Sequence, residues 1–168
     1  MPKKYTAPAG RQATKSFRQT QELGKSFAKE ILKQGAKETA VVLALQGDLG
    51  GGKTTFLQGF AKGLNIQDKI LSPTFVIYKK FNIPKNRRSS VLTNKYLYHF
   101  DCYRINNPEE ILELGFKEII SDSKNIVAIE WPEKIKKYLL KNTITIDFKF
   151  IDDQTREITV TLDKSINF

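Results

Sequence analysis

Gly47-Asp48-Leu49-Gly50-Gly51-Gly52-Lys53-Thr54 decides the fold of this chain. The stretch fits G-x-x-x-x-G-K-[ST], a loop that cradles polyphosphate. Ala40-Val41-Val42-Leu43-Ala44-Leu45 precedes it, a short apolar run that reads as a buried strand. Phe56, Leu57, Phe60, Ala61 and Leu64 follow at helical spacing, and Gly63 and Asn65 mark a stop. Strand, glycine turn and helix thus stand in the order the loop requires. Glycines let the backbone turn tightly and bring N–H groups close to phosphate oxygens. The positive end of the following helix points at the same oxygens. Lys53 supplies a point charge for the β- and γ-phosphates, and Thr54 Oγ1 can reach Mg²⁺. The motif points to a nucleoside triphosphate with magnesium. It names neither the base nor the purpose of hydrolysis.

The 168 residues make one domain, with a core large enough to fold alone. Apolar content of 40% and charged content of 27% fit a soluble globular protein. No apolar run nears the ~20 residues of a membrane span, and no hydrophobic signal segment opens the chain. A single cysteine, Cys102, excludes an internal disulfide and fits a reducing cytoplasm. The net charge of +10 fits a polyanionic partner, nucleic acid included, or equally a general lysine bias.

Residues 1–12 form a basic N-terminal segment with little fixed structure, and residues 13–168 form the domain. Residues 14–18 read as a short edge strand. Thr20 reads as the N-cap of a first helix whose apolar face is Leu23, Phe27, Ile31 and Leu32, ending near Gly35. In residues 71–81 Pro73 forbids helix, and the later part alternates like a strand. The polar stretch 84–93, with Lys85, Arg87 and Arg88, joins it to a return strand ending in Asp101, an antiparallel hairpin with a long tip. Pro108 opens a short helix. Residues 125–130 read as a buried strand ending in Glu130, and 132–140 as a short lysine-rich helix. Residues 143–150 and 156–162 alternate around Asp152-Asp153-Gln154 as a terminal hairpin. The architecture is α/β: a three-layer sandwich on a mixed sheet, a parallel pair at the phosphate loop extended by antiparallel hairpins.

Magnesium in such a site takes a carboxylate from the end of a neighbouring strand. Asp101 and Glu130 compete. Only the strand ending in Glu130 is apolar throughout, as a strand covered on both faces must be. Glu130 is therefore the metal's carboxylate, directly or through water. Asp101 lies nearby, polarising water or holding a metal-bound one. Trp131 packs the strand end or serves the site. His99 reads as a hydrogen-bonded structural residue rather than a base. Cys102 lacks the surroundings of a reactive thiol. Arg104 pairs with Asp101, a phosphate or another carboxylate.

These motifs occur in a recognisable order: the glycine loop through Thr55, Ser72-Pro73-Thr74-Phe75, Tyr98-His99-Phe100-Asp101-Cys102-Tyr103-Arg104, Glu113-Leu114-Gly115 and Ile129-Glu130-Trp131-Pro132. Together they resemble the TsaE (YjeE) family, bacterial P-loop ATPases of tRNA threonylcarbamoyladenosine synthesis. The resemblance implies a P-loop NTPase-like fold and a weak, Mg²⁺-dependent ATPase. It implies work with the TsaD and TsaB proteins in modifying the adenosine next to the tRNA anticodon. It further implies nucleotide contacts from Gly47, Asp48, Gly50, Gly51, Gly52, Lys53, Thr54, Thr55, Thr74 and Trp131, with Thr20 near the adenine and Arg156 near the nucleotide. By the same resemblance Thr54 and Glu130 serve Mg²⁺, Lys53, Asp101 and Glu130 serve catalysis, and residues 72–74 form a switch-like segment beside the γ-phosphate. Two other readings of the phosphate loop are a small-molecule or nucleoside kinase and a nucleotide-gated binding module with negligible turnover. The kinase needs an acceptor pocket and an arginine lid, for which the basic stretch 84–93 is the sole candidate.

Overall fold

The computed structural model describes residues 10–34, 37–85 and 95–162. Its elements are β1 (Gly10–Thr14), α1 (Phe17–Lys33), β2 (Val41–Gly47), α2 (Lys53–Gly63), β3 (Tyr78–Asn82), β4 (Tyr96–Asp101), α3 (Glu110–Glu113), α4 (Phe116–Ser121), β5 (Asn125–Glu130), β6 (Ile144–Phe150) and β7 (Arg156–Thr161). A run of 3₁₀ turns covers Pro132–Tyr138.

The apolar run ahead of the glycine loop becomes β2, the middle strand of a seven-stranded sheet ordered β1-β7-β6-β2-β5-β4-β3. β2 is flanked by two parallel partners, β5 and β6. Such a strand meets helices on both faces and carries no polar alternation. One face, with Leu43, Leu45, Ile126, Ala128, Ile146 and Phe148, packs on Phe27, Ile31, Phe56 and Phe60 of α1 and α2. The other, with Val42, Val127, Ile129 and Phe100, packs on Ile111, Phe116, Ile120 and Ile135. The result is the three-layer, mixed-sheet sandwich expected from the sequence.

Glycines bring α1 and α2 unusually close. A Cβ at Gly59 would stand 1.8 Å from the Gln21 carbonyl oxygen, and one at Gly24 2.1 Å from that of Phe56. This near-backbone contact carries the start of α1 to the phosphate loop.

Several boundaries differ from expectation. The edge strand is Gly10–Thr14 rather than 14–18, paired antiparallel with β7, so residues 10–12 belong to the sheet. The rest of the basic N-terminal segment lies outside the described residues. Ser16, not Thr20, caps α1: its backbone is extended and its hydroxyl accepts from the Gln19 amide at 3.2 Å. Thr20 sits one turn inside the helix, where its hydroxyl meets the Ser16 carbonyl and the Thr14 hydroxyl, 2.7 Å away. Local capping chemistry allowed both residues, and the position of β1 selects the earlier one. Gly35 lies outside the described residues, and α1 ends at Lys33.

The strand expected within 71–81 is confined to Tyr78–Asn82, antiparallel to β4. Lys85 at its far end is exposed, while Arg87, Arg88 and the hairpin tip lie outside the described residues. Pro108 lies in the turn ahead of α3 rather than at its first position, since the helix begins at Glu110, and Gly115 at φ +72 separates α3 from a further short helix, α4. The lysine-rich helix is 3₁₀ in character and kinks at Ile135. The terminal hairpin is present, and β6 also runs parallel to β2, a pairing that periodicity cannot reveal. No helix among the described residues is long and apolar enough to cross a membrane.

Candidate functional site

The glycine loop closes tightly around its own lysine. Gly51 N donates to the Asp48 carbonyl at 3.0 Å, and Gly50 and Gly52 take φ +75 and +100. Lys53 Nζ donates to the Gly47 and Asp48 carbonyls at 2.5 and 2.8 Å and lies 4.5 Å from the centre of the Trp131 ring. Lys53 is buried, and desolvation holds its ammonium below the ordinary lysine range; nearby Glu130, Glu133, Asp101 and Asp48 oppose that shift. A buried cation whose described hydrogen bonds all go to backbone carbonyls is ready to exchange them for an anion.

The opposite wall comes from neighbouring strand ends. The parallel register of β4 and β5 places Asp101 directly beside Glu130. Both carboxylates are nearly buried, at 3% and 4% exposure. Glu130 Oε1 accepts from Thr54 Oγ1 at 3.0 Å and lies 2.9 Å from His99 Nε2. Asp101 holds the segment that precedes β3: its Oδ2 accepts from the Ser72 hydroxyl and from Thr74 Oγ1 at 2.7 Å, and its Oδ1 from the Tyr103 amide at 3.0 Å. Ile77 ends that segment at φ +64, a costly conformation for a β-branched residue, inside a γ-turn closed by Tyr78 N and the Val76 carbonyl.

Between these walls lies a cavity of about 410 Å³. It is lined by the loop from Leu49 to Thr55 and by Ser72, Thr74, Asp101, Tyr103, Glu130 and Trp131. Most of the expected site residues therefore meet in one place: Gly50, Gly51, Gly52, Lys53, Thr54, Thr55, Thr74, Asp101, Glu130 and Trp131. Gly47 and Asp48 contribute from behind, through the carbonyls that hold Lys53. Thr20 backs the loop, its Cγ2 lying 3.7 Å from where a Gly52 Cβ would stand. Arg156 lies at the same spot, and its Nε donates to the Gly50 carbonyl at 3.1 Å. Arg104 stacks on the Phe75 ring, 4.4 Å from its centre. Cys102 is fully buried, and burial with the Asp101 charge pushes its thiol up to about 12, far from reactive.

This matched pattern reaches well beyond the loop. A profile described as "Threonylcarbamoyl adenosine biosynthesis protein TsaE" matches residues 14–158. The chain belongs to the TsaE family. A Haemophilus influenzae relative named tRNA threonylcarbamoyladenosine biosynthesis protein TsaE is 36% identical over 130 residues, covering 77% of this chain and 75% of its own. A Bacillus subtilis relative of the same name is 41% identical over 120 residues, covering 71% and 68%. The Bacillus subtilis YdiB crystal structure superposes with a TM-score of 0.68 at 32% identity, covering 91% of this chain and 84% of that one. Family membership places the chain in threonylcarbamoyladenosine biosynthesis and in the P-loop NTPase-like fold.

The donor set fits magnesium triphosphate. The loop offers an ammonium group, glycine amides and the N-terminus of the 11-residue α2. Thr54 and Glu130 offer hard oxygen ligands 3.0 Å apart. No group of three or more His, Cys, Asp or Glu able to hold a metal exists among the described residues. Thr54 and Glu130 would hold magnesium with the rest of its shell left to phosphate and water oxygens.

Two contacts at the site escaped the sequence. Tyr103 lines the cavity, and His99 bonds Glu130. The alternation of β4 puts His99 and Asp101 on one face, which was legible. The pairing of that face with Glu130 depends on the β4–β5 register.

Proposed function

We propose that this chain is an ATP-binding, Mg²⁺-dependent, slowly hydrolysing ATPase that supports threonylcarbamoyl modification of the tRNA adenosine beside the anticodon. It acts in the cytoplasm with the TsaD and TsaB proteins, and meets tRNA through them or through its basic surface. The observation that carries the reading is the meeting of Lys53 and Thr54 with Asp101 and Glu130 around one cavity. Lys53 would exchange the Gly47 and Asp48 carbonyls for β- and γ-phosphate oxygens. Thr54 and Glu130 would hold Mg²⁺. That ion, when bound, supplies charge neutralisation for the polyphosphate. Asp101 is the buried carboxylate placed to accept a hydrogen bond from the attacking water once Ser72 and Thr74 release it.

A phosphate-release assay with radiolabelled Mg-ATP tests this, run with and without the purified TsaB–TsaD pair. The expected result is slow release alone and faster release with the pair. Label appearing on an acceptor would replace the reading with a kinase, and binding without release would replace it with a nucleotide-gated module.

A further inference from the structure

His99 is the chain's only histidine and is 1% exposed. It stands on β4 opposite Ala128 of β5, whose small side chain gives the imidazole room. Glu130 lies two residues further along the same face of β5. The ring's Nε2 is 2.9 Å from Glu130 Oε1, the oxygen that also accepts from Thr54 at 3.0 Å. Nδ1 is buried and has no hydrogen-bond partner among the described residues. His99 does not line the cavity, so it cannot touch a nucleotide there except through another group.

A carboxylate oxygen only accepts, so Nε2 carries a proton, and Nδ1 is left without a partner among the described residues. A core filler of similar size would leave no orphaned nitrogen behind. The arrangement sacrifices one ring nitrogen in order to aim the other. We propose that His99 is a positioning residue for magnesium: its Nε2–H fixes Glu130 Oε1 next to Thr54 before the metal arrives. Such outer contacts orient metal ligands and govern affinity without touching the ion. The proposal rests on the assignment of Thr54 and Glu130 as the magnesium side of the nucleotide site. It adds what sets their geometry. His99 therefore bears on the magnesium requirement and leaves the phosphate grip of the loop alone.

The test is a Mg²⁺ titration of binding to a non-hydrolysable ATP analogue, by calorimetry, for the full-length wild type, H99L and H99Q. H99L should need about 10- to 100-fold more Mg²⁺ for half-saturation, the range typical of lost outer-shell contacts. Analogue affinity in EDTA should stay at the wild-type value in both variants. H99Q places an amide N–H near the former Nε2 and should recover most of the loss. A wild-type Mg²⁺ requirement in folded H99L, or an H99Q no better than H99L, overturns the proposal. Imidazole nitrogen NMR on the wild type decides the matter even if H99L does not fold, since one histidine gives one pair of ring signals. A fixed Nε2–H tautomer whose signals move on adding Mg²⁺ and analogue supports the role, and an Nδ1–H tautomer refutes it. Absence of any Mg²⁺-linked binding in the wild type would remove the nucleotide assignment itself, and this proposal with it.

Discussion

The two walls of the cavity are built on opposite plans. The phosphate-loop wall is held by backbone and core. Gly47 leans on β6 so closely that a Cβ there would sit 2.1 Å from the Phe148 carbonyl oxygen. Phe148 packs edge-on against Phe56 at 5.6 Å, and α2 lies against α1 through glycines. The facing wall, Ser72 to Ile77, is hung on side chains. Its Ser72 and Thr74 hydroxyls reach Asp101, its backbone is strained at Ile77, and Phe75 and Val76 are 85% and 56% exposed. A wall made of close backbone contacts keeps its shape whether or not a ligand is present. A wall made of a few hydroxyl bonds to one carboxylate has contacts it can trade.

Substitutions should separate the two plans, and the largest effect belongs to the rigid wall. Gly47→Ala forces a side chain onto φ +123 and into the Phe148 carbonyl. The expected loss is about 2–5 kcal/mol of stability, measured by denaturant unfolding; an unchanged midpoint would mean that the wall yields easily. Next come two side chains of equal weight. Lys53→Ala should weaken ATP binding by about 1.5–3 kcal/mol, roughly 10- to 150-fold, with little change in folding; calorimetry showing wild-type affinity would remove the loop from the site. Glu130→Ala should keep measurable nucleotide binding but lower Mg²⁺-dependent turnover by a similar factor. Turnover and Mg²⁺ dependence at wild-type levels would move the metal role to Asp101.

The facing wall should respond locally. Replacing Ser72 and Thr74 together with Ala should leave global stability within about 1 kcal/mol. Amide exchange should quicken across 72–77 and remain slow in β2 and α2. Equal quickening in both walls would erase the contrast. The smallest effect concerns Cys102, directly after Asp101. Its thiol is raised in the folded state to about 12, so it contributes stability that is present below the unfolded thiol range and lost as pH climbs towards 12. At pH 8 it should resist a thiol reagent unless the chain opens, and the Ser72/Thr74 double variant should keep that protection. Rapid labelling would show that the hung wall and the core beneath it move together.

The same contrast explains what the sequence disclosed. The rigid wall was legible because it is local: strand, glycines, lysine and helix lie within residues 40–65. The carboxylates at Asp101 and Glu130 were legible as strand ends, and the apolar run before Glu130 ranked it for the metal. The bond between His99 and Glu130, the Asp101 tether on Ser72 and Thr74, and the β2–β6 pairing all join residues far apart in sequence. The first and last depend on sheet register and the tether on where the loop before β3 passes the end of β4, and no local spacing encodes either. The N-cap at Thr20 failed for a related reason. Ser16 and Thr20 were both competent, and a strand contact made elsewhere chose between them.

Phe148 and Arg156 reach the glycine loop from the last two strands. A nascent chain that has emerged from the ribosome only as far as its lysine motif therefore lacks the buttress against which that motif is shaped. Competence to grip a ligand should arrive late in synthesis and in a single step, as the final hairpin docks.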